Sequence, residues 1–104
     1  MAMTVGVAPS QARDLSAGVL LDEMPVRERT SYIMGVVEGL AYARFRKDTM
    51  LSGEKDEQGM KCIYEWFYSD NTAALDKIEA AFKQYRQHTP ALIVTALVRR
   101  ECGE

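Results

Sequence analysis

The chain has 104 residues, 47% hydrophobic and 27% charged, with a formal net charge of −2. That is enough for one domain around one core, and its apolar content excludes a disordered protein. The mild acidity excludes a basic footprint for nucleic acid or an anionic bilayer. No apolar run reaches the roughly 20 residues a spanning helix needs, so neither nucleic-acid binding nor membrane insertion is expected.

Residues 1–12 carry no charge, and Arg13 and Asp14 follow at once. Small residues at Ala8, Ser10 and Ala12 ahead of a polar stretch match the back half of a signal peptide. A plain N-terminal tail fits the same residues. Residues 1–14 are therefore set apart from a single domain over 15–104. β-branched residues are sparse and never alternate over a strand's length, which predicts an all-α fold of four to five helices.

A short first helix is expected around Leu15 to Met24. The second runs from about Pro25 to Lys47, with Ile33, Val36, Val37, Leu40 and Ala43 or Arg44 at helical spacing. Its other face carries Tyr32, Gly35, Gly39 and Tyr42. Glycine inside a helix costs up to about 1 kcal/mol against alanine, so a pair of them needs a reason. Gly35 and Gly39 stack four apart and are read as a helix-packing groove, either within the domain or at a homodimer seam. Arg44, Arg46 and Lys47 are expected to complement the dipole at that helix's own C-terminus. Asp48 to Gly59 reads as a polar connection.

The third helix, about Gln58 to Tyr68, holds the densest aromatic cluster: Tyr64, Trp66, Phe67 and Tyr68. Ile63 and Phe67, four apart, are assigned to the core. Tyr64, Trp66 and Tyr68 cannot all point inward from one short helix, and Tyr and Trp favour interfaces. The fourth helix starts at an Asp70 or Asn71 cap and carries Leu75, Ile78, Phe82 and Tyr85 as one apolar stripe. The fifth is capped by Thr89, opened by Pro90, lined by Ile93, Val94, Leu97 and Val98, and stopped by Gly103.

The two cysteines, Cys62 and Cys102, fall near the start of the third helix and on the buried side of the fifth. An even count in a small chain suits an exported protein with one bridge, which would pin a C-terminus that otherwise frays. Two separate buried thiols are the alternative.

No motif with a catalytic mechanism occurs. One histidine, His88, and two distant cysteines do not make a metal site, and no cofactor is expected. Glu38, lying between the glycines, is the one carboxylate in an apolar stretch and a candidate for a specific contact. With no acid–base pair or activated nucleophile, the chain reads as a binding protein rather than an enzyme.

The string YIMGVVEGLAYARF over 32–45 is followed by the cysteine of KCIYEWFY, then FKQYRQHTP and ALIVTALVRRECG. This order resembles the Tai-type immunity proteins of type VI secretion, small exported helical proteins that neutralise peptidoglycan-cleaving amidase effectors. The matching elements are Gly35 and Glu38, Cys62, Pro90, and Ala96, Leu97 and Cys102. The resemblance implies a periplasmic protein whose partner is a secreted amidase effector. A wider resemblance is to the HdeA-type acid-stress chaperones, in which a Thr-Pro-opened helix also leads to the second cysteine, as Thr89 and Pro90 do here. A non-catalytic module of a cell-envelope complex is a third reading. For the first, Trp66, Tyr64, Tyr68 and Glu38 are the partner-binding candidates, with the charged stretch Asp48 to Glu57 beside them as a plug.

Overall fold

The computed structural model describes residues 15–104, and the reading of residues 1–14 lies outside the described residues. Five helices follow one another: α1 (Ala17–Glu23), α2 (Val26–Ser52), α3 (Gln58–Tyr68), α4 (Asn71–Gln84) and α5 (Pro90–Cys102). No strand occurs among the described residues, so the fold is all-α as the periodicity predicts.

Helices α2 to α4 each bury one row of residues spaced four apart, the spacing that keeps side chains on one face. On α2 the row is Arg29, Ile33, Val37 and Ala41; on α3 it is Gly59, Ile63 and Phe67; on α4 it is Ala74, Ile78 and Phe82. Ile93, Val94 and Val98 of α5 close the core from the C-terminal side, and Ala17 and Leu20 of α1 complete it. Helix α2 lies along α3, α1 packs on α4, and α5 touches α2, α3 and α4.

The helix ends follow local chemistry. The Val19 N–H donates to Ser16 Oγ (3.2 Å) and the Ala73 N–H to Asp70 Oδ1 (3.2 Å), so Ser16 and Asp70 cap α1 and α4. The N–H groups of Ala17 and Gly18 donate to the carbonyls of His88 and Arg86, each at 2.9 Å, which ties the start of α1 to the α4–α5 turn. Thr89, expected as a side-chain cap, makes no such bond; Pro90 opens α5 without an N–H to satisfy. Helices α2 and α5 both stop at glycines in the left-handed half of backbone space, Gly53 (φ 82°) and Gly103 (φ 71°).

Helix α2 runs past Lys47 to Ser52, correcting the expected polar connection from Asp48. Polar residues alone do not end a helix, and the first true breaker is Gly53. Arg44 therefore lies well inside α2 and cannot serve its C-terminus. Instead its Nη1 donates to the carbonyls of Cys102 (3.2 Å) and Gly103 (3.1 Å), while its Nε donates to Asp48 (2.8 Å). Arg29 repeats the device at the other end of α2. Buried, it donates from Nη1 to the carbonyls of Leu20 (3.4 Å) and Met24 (3.1 Å) and from Nε to Glu79 (3.0 Å). Two arginines of one helix thus bond carbonyls at the C-terminal ends of two others.

Cys62 and Cys102 form a disulfide between α3 and α5, with their Cα atoms 5.8 Å apart and 40 positions between them in sequence. This is the pairing expected from the sequence.

The packing expected of Gly35 and Gly39 inside the domain is not what the fold does with them. Both are exposed, and a Cβ built on either meets nothing within 4 Å. A glycine that does make room for a neighbouring side chain is Gly59, buried at the start of α3. There a Cβ would stand 2.6 Å from Arg44 Cζ and 2.7 Å from its Cγ.

Candidate functional site

Tyr64 and Tyr68 are four apart on α3 and share a face. That face meets α2 one side chain away from Glu38. The Tyr64 hydroxyl donates to Glu38 Oε1 (3.1 Å) and the Tyr68 hydroxyl to Oε2 (2.6 Å). The two rings lie 6.1 Å apart, and Tyr68 also meets the edge of buried Phe67 at 4.9 Å. Each phenol therefore has its body held by packing and its oxygen held by one carboxylate.

The electrostatics follow from that geometry. Loss of solvation, then the hydrogen bond and the negative charge of Glu38, raise the Tyr64 phenol above its ordinary 10.0. For Tyr68 the hydrogen bond to Glu38 is the largest cause. Loss of solvation and the nearby negative charge add to it, and the phenol is pushed up to about 12. Both tyrosines thus stay neutral donors over the whole physiological range.

Three of the four residues proposed for partner binding come together: Glu38, Tyr64 and Tyr68. Trp66 does not join them. Two residues along a helix rotate a side chain by about 200°, so Trp66 leaves α3 on the side opposite the tyrosines. It is half-buried against the core and lines a cavity of about 250 Å³ with Lys77, Ala81, Tyr85, Leu97 and Arg100 of α4 and α5. An adjoining apolar groove of about 270 Å³ continues past Tyr85 to Leu92.

The stretch from Asp48 to Glu57 does not sit beside the tyrosines as a loose plug either. Its first half is helix, with Asp48 paired to Arg44. The remainder is tied back by the Asp56 N–H, which donates to Thr49 Oγ1 (3.1 Å), and by Lys55 and Lys61 around Glu57. Gly53 is 15 residues from Glu38, about 22 Å along the helix axis. The residue that sequence reasoning left out of the site is Tyr42. It lies one turn on from Glu38 and is 58% exposed. The i, i+4 spacing of Glu38 and Tyr42 is the signal that places it there.

Among the described residues no group of three His, Cys, Asp or Glu side chains is placed to hold a metal ion. None of the helices is long and apolar enough to cross a membrane. Chemically, the cluster is an oriented carboxylate flanked by aromatic rings, with hydrogen-bond and stacking capacity. No protein-family model, curated protein or solved structure matches the chain.

Proposed function

We propose that this chain is a non-catalytic protein-binding domain that works in an oxidising compartment such as the periplasm, and that it recognises its partner through the α2–α3 face around Glu38, Tyr64, Tyr68 and Tyr42. The observation that carries the reading is the exposed aromatic cluster organised on one carboxylate. Tyrosines with locked rings present large contact area at little entropic cost and are enriched where proteins meet. The disulfide supports an exported location, because such bonds persist in oxidising compartments. The resemblance of residues 30–103 to the Tai-type immunity proteins supports an inhibitor of a secreted, cell-wall-cleaving amidase as the specific role.

The test is capture of a partner from envelope extract of the native host, followed by identification of the captured protein and assay of its amidase activity. Replacing Tyr68 with alanine should abolish capture while the helical spectrum stays intact, and replacing exposed Lys83 on α4 should not. Undiminished capture by the Tyr68→Ala protein would remove the α2–α3 face from the reading. A captured protein with no hydrolytic activity would remove the immunity role.

A further inference from the structure

Glu38 is an exposed carboxylate with an unusual second layer. Each of its oxygens accepts one phenolic hydrogen, at 3.1 and 2.6 Å, and each retains a further lone pair. The tyrosines fix the carboxylate's plane but do not neutralise it. None of the ion pairs among the described residues includes Glu38.

The ground around this carboxylate is clear. Gly35 lies nearly one turn before Glu38 and Gly39 directly after it, and a Cβ on either would meet nothing within 4 Å. Each glycine destabilises an exposed helix relative to alanine, and no contact within the fold accounts for that cost. One turn beyond Glu38 stands Tyr42, largely exposed. A fixed, unpaired carboxylate, an approach free of side chains and an aromatic ring at its edge suit a planar cation better than a spherical one. A guanidinium sends two parallel N–H groups to the two oxygens of one carboxylate and rests its face on an aromatic ring. An ammonium offers only a point charge and holds its water more tightly.

We propose that Glu38, Tyr64, Tyr68 and Tyr42 form a receptor for the guanidinium of an arginine carried by the partner protein. This rests on the reading of the α2–α3 face as the recognition surface and names the chemistry that face selects. Gly35 and Gly39 keep the approach open.

The experiment is an NMR titration of the tyrosine ring signals in the full, disulfide-intact chain. The probes are N-acetyl-arginine amide, its lysine counterpart, and the neutral isostere N-acetyl-citrulline amide. Saturable shifts of Tyr64, Tyr68 and Tyr42 are expected with the arginine compound, with citrulline at least about tenfold weaker because the charge assistance is lost. The Glu38→Gln protein should lose the response. The Gly35→Leu protein keeps the carboxylate and both phenols and places a side chain on the carboxylate's own face; it should lose the response while its thermal stability holds or rises. Equal shifts with citrulline, lysine binding as tight as arginine, or an unchanged response in folded Glu38→Gln or Gly35→Leu protein would each overturn the proposal. If the arginine compound leaves the tyrosines silent while Tyr68→Ala still abolishes partner capture, the recognition surface stands and the arginine receptor falls.

Discussion

Tyr68 donates its phenolic hydrogen to Glu38 at 2.6 Å, and the bond is lost when the phenol ionises. Spectroscopic titration of the tyrosinate band should therefore show one tyrosine with a midpoint of about 12, against the ordinary 10.0. In the Glu38→Gln protein that midpoint should move down. The sign of the stability effect follows by linkage. A folded value above the unfolded one means the native state holds more protons between those limits. The bond's contribution is then complete below pH 10 and disappears as pH rises through about 12. Urea midpoints measured across that window should fall more steeply for the wild type than for Glu38→Gln. Glycine substitutions offer a second check with opposite signs. Gly35→Ala and Gly39→Ala should each stabilise by up to about 1 kcal/mol, since the new methyl enters open space. Gly59→Ala should destabilise by about 1–3 kcal/mol, because its methyl displaces the stem of Arg44, which is held at both ends. These glycines look alike in the sequence. What separates them is a tertiary neighbour 15 positions away, which no local pattern reveals. The lone carboxylate Glu38 and the four-residue spacing of Tyr64 and Tyr68 were legible. Residue type groups Trp66 with the two tyrosines, but two positions along a helix turn a side chain by about 200°, so Trp66 leaves α3 on the other side.

Among the elements, α2 acts as the strut to which both ends of the described chain are tied. Arg29 fastens the end of α1 and Arg44 the end of α5, each by donating to carbonyls at those helix ends. Replacing Arg29 with alanine removes two carbonyl bonds and leaves half-buried Glu79 without its cation. A loss of about 2–4 kcal/mol is expected, read from chemical denaturation. Much of this level was legible. The aromatic density marks α3 over Gln58 to Tyr68 and the Pro90 and Gly103 signals bound α5; of the expected α4 stripe Ile78 and Phe82 are buried, Leu75 is half-buried and Tyr85, at the helix end, is exposed. The end of α2 is not legible from polarity, because polar residues alone do not break a helix. Asp48 pairs with Arg44 on the helix surface, so the chain stays helical until Gly53 makes the turn. The arginine ties were invisible for a related reason: each partner carbonyl belongs to a helix end whose position in space is set only by the packed fold.

At the scale of the molecule, the disulfide joins the middle of the core-forming α3 to the last residue of α5. It closes a loop of about 41 residues, for which chain-entropy reasoning gives roughly 4 kcal/mol. Reduction should lower the denaturation free energy by about that much, with the Cys62→Ala, Cys102→Ala protein behaving like the reduced wild type. A pairing seen only from cysteine count and helix placement was enough to anticipate this bridge, because a fold of five short-range helices leaves few ways for those two positions to meet.

The same bridge sets how the chain answers a mechanical load. A pull applied to the chain beyond Cys102 passes across the sulfur atoms into Cys62. Tension bypasses α4 and most of α3 and α5, and falls on α1, α2 and the turn after them. Stretching the described chain from Leu15 should release slack only as far as Cys62, about 160 Å at ~3.5 Å per residue. The ring from Cys62 to Cys102 holds back a further length of about 140 Å that a reductant alone can free. Under a load applied through its ends the chain would thus lose α2 with Glu38 first, while Tyr64 and Tyr68 stayed inside the covalently closed ring.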